Sequence, residues 1–205
     1  MDLPPQPVPL PAPRRRRRGL LRTSIGVGVA AGLFAVWGAL LGGSLSVQEI
    51  ISPSMAPTIA VGDRIVARRL SPEAPVRIGD IVVIEPPDRM GLPLIKRIAA
   101  GPGDEVWTIG WHVWINRAPR REDVEAIDPA LARRVLLNHF RLREGEYFVL
   151  GDNREESLDS TTFGPVRRED MLHRALFRYA PVGRAGAFAP APADFPLGSR
   201  PFAPG

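Results

Sequence analysis

No charged residue occurs between Thr23 and Gln48, and Ile25 to Leu45 is almost wholly apolar or small. About 20 residues rising 1.5 Å each cover the hydrocarbon core of a bilayer, so this stretch is long enough to cross one as a helix. It divides the chain. Before it stand a proline-rich, cation-free start (Met1 to Pro13), five consecutive arginines (Arg14 to Arg18) and Arg22. Arginines on the N-terminal side of a span predict a cytoplasmic N-terminus, with everything after about Val47 outside. A cleaved signal peptide is the rival reading, although its apolar region is usually only about 7–15 residues. The basic run reads as a topology determinant that contacts anionic lipid, not as a nucleic-acid site. The expected domains are a disordered Pro/Arg-rich cytoplasmic segment (1–22), a transmembrane anchor (23–45), an extracytoplasmic β domain (46–179) and a disordered Pro/Ala-rich tail (180–205).

Within the soluble part, period-two alternation and β-branched runs predict short strands at Ser46–Ile51, Asp63–Arg69, Gly79–Ile84, Leu94–Ala100, Glu105–Ile109, His112–Ile115, Glu146–Leu150 and Leu172–Tyr179. Pro86-Pro87, Pro102-Gly103-Asp104, Gly110 and Gly151-Asp152-Asn153 separate them as turns. Asp128–Phe140 is the one helical-looking piece, inside a polar section (117–144) that the pattern leaves least defined. The fold class is mainly β, a folded domain of short antiparallel strands preceded by a single transmembrane helix.

The chemistry starts from Lys96, the only lysine among 27 Lys and Arg residues. A guanidinium stays charged at any pH a protein survives, whereas a buried ammonium can become a neutral amine. Ile95, Ile98 and Leu94 are placed to desolvate Lys96, while alternation sends Arg97 to the opposite face, towards solvent. Lowering the amine pKa from about 10.4 to about 8 costs roughly 3 kcal/mol. A neutral amine activates a serine, and Ser52-Pro53-Ser54-Met55-Ala56-Pro57-Thr58 offers serines in a backbone that prolines hold still. There is no cysteine, which excludes thiol catalysis, disulfides and Cys-based zinc sites. His112, His139 and His173 lack metal-ligand spacing, and neither Gly-x-Ser-x-Gly nor a zincin helix is present.

Three stretches in this order, SPSMAPT at 52–58, KRIAAGPGD at 96–104 and GDNREESLDS at 151–160, resemble bacterial type I signal peptidase (leader peptidase). The resemblance covers roughly Ser46 to Tyr179. It implies Ser54 as nucleophile and Lys96 as general base, with the Ser52 hydroxyl and the Ser54 N–H forming the oxyanion hole. It further implies that Ser157 orients the amine and that Asp159 supports the site. The fold implied is mostly β, with the substrate added as a strand beside the segments before Ser54 and before Lys96. The activity implied is removal of signal peptides from secreted preproteins through an acyl-enzyme, with no cofactor and no metal. Partners implied are preproteins with small residues before the cut, membrane lipids and the secretion translocase, and no nucleic acid. The location implied is the outer face of the bacterial cytoplasmic membrane.

The chain departs from that family's pattern at Ile51, where proline is usual, at Pro53, where glycine or glutamate is common, and at Ala100-Gly101. Thr161 stands where arginine usually follows Asp-Ser, so the partner expected for Asp159 is missing; Arg154 remains, but it matches a different, structural arginine of the family. A specialised processing peptidase of the same fold is a second enzymatic reading. A membrane-anchored β domain that binds exported chains without cutting them is the rival from another class.

Overall fold

The computed structural model describes residues 42–86, 91–127, 137–193 and 195–196, with positions 32, 34 and 36–38 before them. The expected cytoplasmic segment and more than half of the expected span lie outside the described residues. Among the described residues no helix is long and apolar enough to cross a membrane.

From Gly43 onward the chain is one compact unit. Its strands are β1 (Leu45–Glu49), β2 (Arg64–Arg69), β3 (Ile81–Ile84), β4 (Leu94–Ala100), β5 (Glu105–Ile109), β6 (His112–Ile115), β7 (Asn138–Arg141), β8 (Glu146–Leu150), β9 (Val166–Arg167) and β10 (Met171–Ala180). Seven form a sheet in the order β1-β2-β10-β3-β4-β8-β9, and three form a second sheet, β6-β5-β7. Each pairing is antiparallel. Among the described residues two helices, α1 (Arg121–Ile127) and α2 (Ser160–Phe163), accompany the strands together with short 3-10 turns.

The strand that carries the lysine is central. β4 lies between β3 and β8, and six of its seven residues, from Ile95 to Ala100, are buried. Both faces of a strand so placed are covered, so its apolar residues and the two cations in its middle, Lys96 and Arg97, are buried alike. Ile98 packs with Val82, Ile84 and Val149, Ile95 with Ile81 and Met55, and Ala99 and Ala100 with Phe148 and Leu150. β8 pairs with β4 from Arg97 onward, so Leu94, Ile95 and Lys96 are paired on the β3 side alone. That half-open stretch bounds the site.

Three expectations are corrected. Arg97 does not reach solvent: it is only 3% exposed, because its face of β4 is covered as fully as the other. Asn138–Phe140 belongs to a strand and not to the end of a helix; the helix described here is upstream, at Arg121–Ile127. Pairing with β5 decides this, since His139 stacks on Trp107 and Phe140 meets Phe148, and such contacts override a loose helical pattern. Of the expected tail (180–205), residues 180–193 and 195–196 are described and are not featureless, while 194 and 197–205 lie outside the described residues. Arg178 and Gly186 form a β-bridge, Phe188 packs on the cluster containing Met55, and Phe195 is buried beside Phe148 and Leu150. Two phenylalanines supply the apolar area that the surrounding prolines and alanines lack.

Candidate active site

Ser54 lies in a 3-10 turn, Pro53–Met55, between β1 and β2. Ser52 caps that turn, its Oγ accepting the Ser54 N–H at 3.3 Å, and Pro53 fills the first turn position, where no N–H is needed. The proline between the serines thus fixes locally what another residue would leave looser. Met55 is fully buried and anchors the turn from below.

Lys96 reaches the same point from β4. Its Nζ lies 2.8 Å from Ser54 Oγ and 2.9 Å from the Ile95 carbonyl oxygen. Lys96 is 2% exposed and Ser54 3%. Burial lowers the amine pKa from 10.5 to about 8. The Asp159 carboxylate opposes that shift, Arg154 adds to it, and Asp152 opposes it. An amine so placed takes a proton from a serine hydroxyl at mildly alkaline pH, which a guanidinium at the same position could not do.

The third element is the loop that follows β8. The Asn153 N–H donates to the Ser54 carbonyl at 3.0 Å, and its side-chain amide donates to the Pro53 carbonyl at 3.4 Å. Gly151 lies against the serine turn: a Cβ there would fall 2.4 Å from the Ser54 carbonyl oxygen and 2.2 Å from Ser157 Oγ. Ser157 Oγ is buried and makes no hydrogen bond, and the carbonyl of Ile95 provides the second partner of the amine. Asp159, wholly buried, caps α2: one oxygen takes the N–H and hydroxyl of Thr161, the other the Gly151 N–H and the Arg154 guanidinium.

The structure therefore brings Ser54, Lys96 and Ser52 into one hydrogen-bonded group, with Ser157 and Asp159 on the loop behind it. Sequence reasoning did not place Asn153 and Gly151 against the serine turn, and it matched Arg154 to a structural arginine of the family, not to a partner of Asp159. It also missed the Arg97–Asp152 pair. Asp152 takes Nε and Nη2 of Arg97 at 2.8 and 2.7 Å, with neither side chain more than 3% exposed. The Gly79 carbonyl and the Phe195 ring complete the guanidinium's surroundings. The available signal was Arg97 beside Lys96 in a strand too apolar to have a wet face. Replacing Asp152 with alanine strands a buried guanidinium and should lower the unfolding free energy by about 3–5 kcal/mol, read by urea titration.

A groove of about 260 Å³ opens at the serine, with walls from Gln48 to Ser52 on one side and from Pro93 to Lys96 on the other. Its side chains include Ile50, Ile95 and Val83, with Glu156 and Leu158 contributed by the loop after β8. A serine held by a desolvated amine and opening on a strand-lined groove is the equipment of a serine endopeptidase.

Comparison with known proteins gives the particular family. The family described as signal peptidase, peptidase S26, matches residues 22–180. A probable signal peptidase I-1 of Synechocystis sp. is 34% identical over 147 residues, 68% of this chain and 73% of its own. A signal peptidase I of Leptolyngbya laminosa is 34% identical over 153 residues, 71% of this chain and 73% of its own. Among solved structures, a signal peptidase I from Enterococcus faecalis V583 is 29% identical, covers 48% of this chain and 93% of its own, and has a TM-score of 0.33. The chain belongs to the signal peptidase family, peptidase S26. Its activity is that of a serine endopeptidase that removes signal peptides from preproteins, the family's mechanism being a serine–lysine dyad.

Proposed function

We propose that Ser54 is the nucleophile and Lys96 the general base of this activity. The observation that carries the reading is the 2.8 Å approach of Lys96 Nζ to Ser54 Oγ within a buried pair. Neutral Lys96 takes the Ser54 proton as Oγ attacks the carbonyl carbon of the scissile bond, giving a tetrahedral oxyanion. The ammonium then gives that proton to the leaving amine, the C–N bond breaks, and an ester joins the signal peptide to Ser54. Water, losing a proton to the same amine, attacks the ester and releases the serine.

The oxyanion faces two donors, the Ser54 N–H and the Ser52 hydroxyl. Without substrate the first donates to the second, at 3.3 Å, and attack re-aims both at the new oxygen. Asp159 supports the pair electrostatically from the loop behind it, whereas the Ser157 hydroxyl, expected to orient the amine, makes no hydrogen bond here. The substrate lies extended in the groove, adding a strand to the free side of 94–96, with small side chains directed at Ile50 and Ile95.

The location follows from the sequence: residues 23–45 are the anchor, the arginine block keeps 1–22 in the cytoplasm, and the β domain works on the outer face of the cytoplasmic membrane. Anchoring confines the site to the plane where preproteins emerge, which raises effective concentration. Membrane lipids, and the translocase that delivers the preproteins, are the partners this placement implies.

The test is acid-quenched cleavage of a preprotein followed by mass spectrometry. Wild type should carry the signal-peptide ester on the peptide containing Ser54, and Ser54→Ala should show neither ester nor cleavage while still binding preprotein. Cleavage by Ser54→Ala at the wild-type rate overturns the assignment.

A further inference from the structure

Asp159 has no exposed surface, and a carboxylate so placed must be matched by a cation and by donors for its remaining lone pairs. Thr161 supplies donors only, through its N–H and hydroxyl at 3.1 and 2.8 Å. The cation comes from five residues upstream: Arg154 Nη1 lies 2.7 Å from Asp159 Oδ2, with the Arg154 side chain 17% exposed. The same guanidinium reaches away from the loop, Nη2 donating to the Trp111 carbonyl at 2.7 Å in the turn between β5 and β6. One side chain therefore does two things. It neutralises the buried carboxylate, and it ties the loop carrying Gly151, Asn153 and Ser157 to the second sheet.

We propose that Arg154 is a positioning residue of the reaction, acting through Asp159 on the Ser54–Lys96 pair and filling the place that Thr161 leaves without a cation. The inference rests on the assignment of Lys96 as the base. The charged groups that bear on Lys96 are Asp159 and Arg154 on the loop and Asp152, itself paired with Arg97, while Glu49 and Glu156 line the groove. Asp159 favours the ammonium and Arg154 the neutral amine, so removing Arg154 leaves Asp159 free to hold the proton on Lys96.

Because the chain has one lysine, a lysine-labelled sample gives one side-chain resonance, and its titration reads Lys96 apart from activity. In Arg154→Gln we expect that resonance and the rising limb of the pH–rate profile to move up together by about half to one pH unit. Cleavage then falls about three- to tenfold below pH 8, and the deficit shrinks to less than about twofold by pH 9.5. Arg154→Lys keeps the charge and should leave the limb where it was. Thr161→Arg, whose side chain starts beside the same carboxylate, should return the limb of Arg154→Gln to its wild-type position.

A lower melting temperature with activity lost equally at all pH values, and no rescue by Thr161→Arg, would make Arg154 merely structural and overturn the proposal. If Arg154→Gln does not fold, Thr161→Arg/Arg154→Gln decides: a cation returned from position 161 should give a folded protein with the wild-type limb, and an upward-displaced limb in it, or failure to fold, counts against the proposal. The two readings separate through Lys96→Arg. If that variant cleaves as wild type, the base assignment falls and this inference with it; if it is inactive while the lysine resonance of Arg154→Gln stays put, this inference falls alone.

Discussion

Lys96→Arg should abolish preprotein cleavage at every pH, with a loss of about 10⁴-fold or more, the scale seen when a member of a nucleophile–base unit is removed. Arginine keeps the charge and much of the length, so loss of activity isolates the one property it lacks, a neutral form. The wild-type rate should climb through a single limb near pH 8, where the buried amine gives up its proton. Equal activity of the two proteins, measured on one preprotein in detergent, would sink the dyad. Stability supplies an independent reading. The folded chain releases the Lys96 proton near pH 8 and an unfolded chain near 10.5, so between those values unfolding takes up a proton and stability rises with pH. Below pH 8 both states are protonated, and the folded state bears a burial cost on the order of 3 kcal/mol. Lys96→Met removes that cost. It should melt higher than wild type at pH 7, lose the advantage above pH 10, and remain inactive throughout.

Gly151→Ala is the second large effect. The added methyl would stand 2.4 Å from the Ser54 carbonyl oxygen and 2.6 Å from Ser157 Cβ, closer than real atoms approach. Neither neighbour is the end of a flexible chain, so the loop and the serine turn must part. Separation of this kind costs about 1–3 kcal/mol in folding. Its effect on rate is larger, because displacing Ser54 by about 1 Å from its base costs on the order of 100-fold. The expected signature is a collapse of kcat in a protein whose melting temperature has dropped only a few degrees. Adding Ser157→Ala removes one contact and leaves the Ser54 carbonyl, so the double variant should stay impaired. An active Gly151→Ala would mean that the loop does not seat against the serine turn.

The strands were legible because their signals are local. β4, β5, β6 and β8 occupy the residues that alternation and turn chemistry assign to them. The approach of Ser54 to Lys96, 42 positions apart, was legible only through the lone lysine and the resemblance of three stretches taken together. What stayed hidden depends on partners distant in sequence. Nothing near Asn138 announces that β5 will pair with it, and nothing near Arg97 announces Asp152, 55 residues on. Phe195 illustrates the limit in another way. A proline- and alanine-rich stretch lacks apolar mass of its own, and only the guanidinium and the Phe148–Leu150 cluster show where one aromatic ring gains a home. Thr161 misled in the opposite direction: read locally it left Asp159 without a cation, whereas the loop folds Arg154 back onto it.

The half-open edge of β4 has a consequence for substrate choice. If a preprotein seats beside 94–96 as proposed, the edge left open by β8 would grip peptide groups that every sequence shares, and so would screen for shape before side chains are read. Chains of unrelated sequence pass this screen once they lie straight, and a segment that stays coiled through the cut does not.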